Sequence, residues 1–458
     1  MQNSAGASSA QFIKMTQTPI PKLIVTLAVP TVASMLVSSI YNLADTFFVG
    51  QTHDACQVAA VSLTNAVFVM YMAVANLIGI GGSATISILL GQKEEKRVRA
   101  ASAFCFYSSL AVGLLAAAAI LLGMEPLLRI LGSTPDTWEF SRDYLFYIAV
   151  GAPFILLANS FGHVVRGEGA ANASMLGGMI GTVVNIVLDP IFILTLDMGT
   201  AGAAIATVLG NVFGCVYYIW YLTRKSAMLS MNPRYLAGCS RIAQRVVSIG
   251  IPAGINSALM SISTVLLNNA LVPYGDTAVA AMGIVTKVYM FIVFVHMGIT
   301  NGIQPLLGYC HGAGAAKRFR DILWFSGALT LVCGTLLSGI YIGFAPQVIR
   351  VFIDDAQVIE YGADMLVATS LAGPILGLLF LTINSLQAMD RPIPATLLSL
   401  FRQGLFFIPL LFVLGQVFGL KGINFTQTTA DYLSIIIALF LLVRALRRQH
   451  PATDSEQG

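Results

Sequence analysis

Residues 182–196 read TVVNIVLDPIFILTL, an apolar run interrupted by an amide, a carboxylate and a proline. Asn185 and Asp189 stand four apart, so a helix stacks their oxygens on one face about one turn from each other. Pro190 has no N–H, which removes the helical donor for the carbonyl of Ile186 and frees that oxygen. A carboxylate at membrane depth is costly, and such residues face a protein interior or a wet cavity, where they mark ion and proton pathways. Oxygen ligands suit protons and hard cations. The stretch reads as a membrane-spanning helix that carries part of an ion site.

The rest of the chain has the same character. Its 458 residues are 57% hydrophobic and 10% charged, against roughly 25% charged in soluble domains. Apolar runs long enough to cross the hydrocarbon as helix recur twelve times. The first half holds 22–49, 57–90, 98–123, 139–163, 172–195 and 200–223; the second holds 241–273, 277–309, 320–345, 358–388, 393–416 and 422–444. This predicts an all-α polytopic membrane protein of twelve transmembrane helices embedded in a lipid bilayer. The polar N-terminal segment lacks the charged, apolar and cleavage regions of a secretory signal, so the first span is expected to be retained. The net charge of +4 carries no nucleic-acid argument.

Lys and Arg fall nineteen on one side of these spans and four on the other, the four being Arg129, Arg142, Arg350 and Lys421. That asymmetry places both termini and the even-numbered connections in the cytoplasm. The halves also repeat. At a shift of 221 residues, Val58-Ala59-Ala60 fall on Val279-Ala280-Ala281, Gly81 on Gly302, Arg129 on Arg350 and Pro153 on Pro374, while Pro30 meets Pro252 one residue out of step. Six spans repeated in the same orientation imply two pseudo-symmetric six-helix bundles with a cavity between them. The expected organisation is a first bundle over 1–224, a cytoplasmic linker over 225–240 and a second bundle over 241–458.

Among the carboxylates within spans, Asp45, Asp189 and Asp431 are the strongest signals. Asp45, Asn185, Asp189 and Thr207 all fall in the outer part of the first bundle and together form an oxygen-rich cation site or, on the alternative reading, a polar cluster that ties helices together. The acidic set has no copy, since the same shift puts Asp45 on Leu266, Asn185 on Phe406 and Asp189 on Leu410. The second bundle instead offers Lys287, Arg402 and Asp431 at comparable depth, with Asn268, Asn269, Gln304 and Asn384 as further candidates for a substrate cavity. Either cation paired with Asp431 would satisfy charges otherwise expensive in lipid. Pro30 lies fifteen residues before Asp45, or roughly 22 Å of helix, and is a candidate hinge; a static kink is the other reading. The glycines within spans read as close-packing positions.

The six cysteines form no CxxC pair and the five histidines no HExxH cluster, so neither a metal site nor a resident cofactor is expected. His296, inside a span, reads as a hydrogen-bonded structural residue. The absence of GxxxxGK[ST] argues against ATP-driven pumping. The chain reads as a transporter rather than an enzyme.

Several long stretches resemble the multidrug and toxic compound extrusion (MATE) family, in its bacterial branch: YNLADTFFVGQ at 41–51, RGEGAANASMLGGMIGTVVNIVLDPIFIL at 166–194, GIVTKVYMF at 283–291, NGIQPLLGY at 301–309 and TADYLS at 429–434. The resemblance implies two six-helix bundles arranged in a V in the bacterial inner membrane. It also implies export of amphipathic, cationic drugs in exchange for H⁺ or Na⁺ by alternating access; separately, the chain is expected to act as a monomer. The family's cation site carries over residue by residue onto Asp45, Asn185, Asp189 and Thr207. Another branch places a Glu in span seven and an Asp in span ten. Here 254–269 has no acid, and span ten has only Asp364 and Asp390 near its ends. The superfamily also contains flippases of lipid-linked sugars, whose cavities are expected to be richer in Arg and Lys. A non-transporting receptor or scaffold is the remaining alternative.

Overall fold

The computed structural model describes residues 18–51, 54–236 and 240–447, with the side chains of 41–47, 49, 50 and 55 outside the description. His53, Cys239 and His450 also lie outside the described residues. The first half consists of α1 (Ile20–Gly50), α2 (Ala55–Gly91), α3 (Glu95–Leu122), a short α4 (Met124–Ile130), α5 (Trp138–Gly167), α6 (Ala171–Pro190) and α7 (Gly199–Arg224). The second holds α8 (Ser240–Leu271), α9 (Asp276–Gly312), α10 (Ala316–Gly343), a short α11 (Ala345–Arg350), α12 (Ala356–Ser370), α13 (Gly373–Ala388), α14 (Pro392–Leu400) and α15 (Phe407–Arg447). No strand occurs among the described residues.

Among the described residues ten helices are long and apolar enough to cross a membrane, and eleven with the bent pair counted as one span. Dividing the last, 56-residue stretch at its kink matches the twelve expected spans, with two differences from the sequence reading. The span expected over 358–388 is two helices, α12 and α13, bent by 46° at their junction. Pro374 in the first turn of α13 explains the break, because it lacks an N–H and disfavours helical geometry in the residue before it. The last two spans follow each other through α15 without an intervening loop, turning at Gly419, where φ is 59° and ψ is −138°. Only glycine adopts that backbone without strain. The short helices α4 and α11, absent from the sequence reading, begin 221 residues apart at Met124 and Ala345 and extend the repeat.

The chain divides into two compact units whose borders are not those of the sequence halves. Among the described residues, one unit is residue 18 with 33–254 and the other is 19–32 with 255–447. The first portion of α1 thus belongs with the second half, and the first portion of α8 with the first half. Glycines explain both exchanges. A Cβ on Gly302 would stand 2.7 Å from the Leu27 carbonyl and one on Gly298 2.6 Å from Val32 Cα, so α9 takes the start of α1 at backbone distance. A Cβ on Gly81 would strike the Val246 carbonyl, so α2 takes the start of α8 in the same way. Gly81 and Gly302 are the pair related by the repeat, and small residues of this kind let membrane helices approach closely.

Within the first unit α5 is central, packing on α2, α3 and α7. In the second unit α9 and α10 pack on the broken span α12–α13. The contact at each centre is the same: Gly113 faces the backbone of Pro153, and Gly334 faces the carbonyl of Gly373 beside Pro374. The segment 225–236, expected as a linker, lies against the first unit. Tyr107 Oη donates to the Met231 carbonyl (3.0 Å), the Ser230 amide donates to Ser102 Oγ (3.3 Å), and Ser226 Oγ donates to Glu168 (2.8 Å).

Candidate functional site

In the first unit α6 and α7 cross at two glycines. A Cβ on Gly181 would lie 2.9 Å from the Gly210 carbonyl, and one on Gly210 3.2 Å from Asn185 Cβ. That approach brings Asn185, one turn further along α6, within reach of Thr207 on α7. Asn185 Nδ2 donates to Thr207 Oγ1 at 3.3 Å and lies 3.4 Å from Asp189 Oδ1. All three residues are buried, Asp189 completely. Past Asp189 the helix loosens into a π-turn over Ile191–Thr195, a departure from α geometry that recurs at functional sites. Asn185 Oδ1 is buried and meets no donor among the described residues.

These oxygens form a donor set suited to a hard cation or a proton, with a carboxylate, an amide oxygen and a hydroxyl converging away from bulk water. The structure brings together Asn185, Asp189 and Thr207. Asp45 lies on helical backbone of α1, and its side chain is outside the described residues. Two further amides, missed in the sequence, continue the polar line. Asn211 Nδ2 donates to the Thr207 carbonyl (2.8 Å), and Asn159 Nδ2 donates to Asn211 Oδ1 (3.2 Å). Their signal was the spacing of Asn211 four residues after Thr207 on one helix face.

The second unit holds a cavity of about 100 Å³, lined among others by Met260, Met282, Met290, Tyr289, Phe380, Arg402, Gln403 and Asn424. Arg402 and Gln403 sit in a second π-turn, Phe401–Phe406, where Ser263 Oγ donates to the Gln403 carbonyl at 2.9 Å. Arg402 Nε donates to Asp431 Oδ1 at 2.8 Å, Gln427 Nε2 donates to the same oxygen at 2.9 Å, and the guanidinium lies 5.1 Å from the centre of the Phe380 ring. Of the two cations proposed to partner Asp431, the structure selects Arg402.

The other cavity candidates go elsewhere. Lys287 is exposed on α9, and Asn268 and Asn269 are exposed on α8; none of the three lines the cavity. Gln304 and Asn384 are buried in amide pairs between α9 and α13, Gln304 with Gln387 at 2.9 Å and Asn384 with Asn301 at 3.0 Å. They hold helices together because each amide satisfies the next. Pro30 lies inside α1. Among the described residues no cluster of three or more His, Cys, Asp or Glu could hold a metal ion.

The sequence model of the family described as MatE matches residues 30–191 and again 252–413. The chain belongs to the MatE family. The double match, its two parts displaced by 222 residues, is the internal repeat seen from outside. The chain is 31% identical over 420 residues to the multidrug export protein MepA of Staphylococcus saprophyticus, covering 92% of both chains. It is 29% identical over 443 residues to MepA of Staphylococcus aureus, covering 96% of this chain and 97% of that one. Among solved structures it is similar, at a TM-score of 0.90 and 23% identity over 96% of its length and 99% of the other chain, to one described as the outward-facing conformation of a multidrug resistance MATE family transporter. The MatE fold of a multi-pass membrane protein follows.

Proposed function

We propose that this protein is a secondary multidrug exporter, expelling amphipathic organic cations from a bacterial cell in exchange for H⁺ or Na⁺. The observation that carries the reading is the buried Asn185–Asp189–Thr207 cluster, set in a chain similar along almost its whole length to multidrug export proteins. The resemblance to the family's cation site assigns Asp45 as the second carboxylate. Binding a cation there and binding a drug favour different arrangements of the first bundle, so the two ligands compete. The lopsided distribution of Lys and Arg puts both termini in the cytoplasm. Each chain carries both bundles and works as a monomer.

The flippase reading loses its main support, because the Arg402 guanidinium is already neutralised by Asp431 and Lys287 is not part of the cavity. The test is efflux of a cationic dye from proteoliposomes under an imposed H⁺ or Na⁺ gradient. Wild-type protein accumulates or expels dye only with a gradient, and Asp189→Asn, which removes a charge with little change of shape, loses gradient-driven transport while still inserting. Wild-type rates in Asp189→Asn would remove this cluster from the coupling step. No gradient-driven movement by the wild type would favour the scaffold.

A further inference from the structure

His296 lies in the middle of α9 and is fully buried. Its Nδ1 is 2.8 Å from the Ile292 carbonyl one turn back, and its Nε2 is 3.2 Å from the Thr330 carbonyl on α10. Both partners are carbonyl oxygens, which only accept. A neutral imidazole carries one N–H and one lone pair, so it can satisfy only one of them and must turn the lone pair of the other nitrogen toward an oxygen. A doubly protonated ring satisfies both.

The surroundings keep the ring in this position. A Cβ on Gly377 would strike His296 Cδ2, and one on Gly334 would lie 2.9 Å from Nε2, so two glycines on α13 and α10 make room for it. The feature belongs to one half alone. At the shift of 221, His296 falls on Ala75, Thr330 on Ser109 and Gly377 on Leu156. In the first unit Ser109 bonds instead to Ser160, at 2.7 Å.

We infer that His296 is a proton-binding site of the second unit, and that the proton on Nε2 fastens α9 to α10. Loss of that proton replaces an attraction with an opposition of lone pairs, so the ring must then leave the Thr330 carbonyl. Charging a ring away from water is costly, and the two carbonyls offset the cost only while both face it. The titratable and charged groups on the packed helices are Asp276, Lys287, Tyr289, Tyr309, Cys310 and His311 on α9, Lys317, Arg318, Arg320, Asp321, Cys333 and Tyr341 on α10, Glu360, Tyr361 and Asp364 on α12, and Lys22 at the start of α1; α13 has none. Lys287 is the nearest of these lysines, arginines and acids along α9, nine residues away. The backbone oxygens are therefore the local partners of the charge.

The inference rests on the antiport reading only in its transport arm. Protein labelled with ¹⁵N-histidine, purified in lipid nanodiscs, is examined by NMR from about pH 5 to about pH 8, the range in which an ordinary imidazole titrates. The His296 signals are those lost in His296→Gln or, if that variant fails to fold, those of protein whose other four histidines are replaced by Gln. A two-N–H ring at the acid end is expected, and a one-N–H ring at every pH overturns the inference. In vesicles, His296→Gln, whose amide still donates to Thr330, is expected to flatten the pH dependence of dye efflux. An unchanged profile would overturn any role of this proton in transport. Failure of the wild type to transport leaves the NMR result standing, so the two readings fail separately.

Discussion

The two units build the same crossing of their fifth and sixth spans from opposite materials. In the first unit the helices meet through bare backbone, Gly181 against Gly210. At the repeat shift of 221 those positions are Arg402 and Asp431, joined at 2.8 Å and closed off by Gln427 and Phe380. One turn further the roles reverse: Asn185 and Asp189 in the first unit correspond to Phe406 and Leu410 in the second. A carboxylate answered by a guanidinium serves the fold, because its charge is already used. The Asp189 carboxylate meets the Asn185 amide instead, at 3.4 Å, and under the proposed function it takes the coupling ion.

The largest expected effect comes from opening the closed pair. Asp431→Asn leaves Arg402 buried without its counter-charge, and breaking a buried pair from one side costs about 3–5 kcal/mol. The unfolding midpoint in detergent falls steeply, and replacing both partners, Arg402→Met with Asp431→Leu, recovers most of it. Asp189→Asn shows the converse, a small change in stability beside a loss of coupled transport. Equal destabilisation by the two Asp→Asn changes would erase the contrast.

The crossing itself can be tested next. Gly210→Ala puts a Cβ between the Gly181 carbonyl and Asn185; overpacking of this kind costs about 1–3 kcal/mol and carries Asn185 away from Thr207. Cation affinity measured by calorimetry should fall about tenfold, equivalent to about 1.4 kcal/mol. Unchanged affinity would mean that the close approach of α6 and α7 does not position the ligands.

Much of this contrast was legible in the residues. The twelve spans and the repeat follow from hydropathy and spacing, and Asn185 and Asp189 declare a shared face because four residues make about one helical turn. What escaped was whatever depends on how neighbouring helices turn. Asn268 and Asn269 are polar residues inside a span, but nothing in their spacing says that α8 turns them outward. Lys287 and Arg402 looked equivalent as partners of Asp431, and the π-turn that seats Arg402 has no simple sequence code. The exchange of helix portions between units was hidden for the same reason. Gly81 and Gly302 announced close packing without saying which helix they receive.

A third difference lies at Glu168, which the repeat places opposite Met389. Ser226 and Tyr221 donate to its carboxylate at 2.8 and 3.2 Å, and burial nevertheless holds its ionisation above the usual carboxylate range. Because the folded-state value is raised, its contribution to stability is fully present below the ordinary value and is lost as pH rises through the raised one. The melting temperature of the wild type should therefore decline with rising pH across that window, and Glu168→Gln should reduce the slope. The same slope in both proteins would assign it to other groups.

The smallest effect expected is at the prolines, where the two halves are most alike. The chain passes between units just after each of them, between Val32 and Ala33 beyond Pro30 and between Gly254 and Ile255 beyond Pro252. Around Pro30 the backbone is further loosened by two hydroxyls bonding back along α1: Thr26 Oγ1 donates to the Lys22 carbonyl (2.7 Å) and Thr31 Oγ1 to the Leu27 carbonyl (2.9 Å). Alanine at position 30 restores an N–H for the Thr26 carbonyl and favours a straighter helix. The difference lies downstream, since α1 leads to Asp45 and α8 leads to Leu266 at the corresponding place. If bending of α1 links cation occupancy to drug movement, Pro30→Ala should lower efflux about fivefold, near the low end of common coupling energies, while calorimetric cation binding stays intact. Pro252→Ala should then cost less, because its helix carries no ligand. Equal losses of efflux in the two alanine variants, or lost cation binding in Pro30→Ala, would reduce both prolines to static kinks serving the packing of α1 on α9 and of α8 on α2.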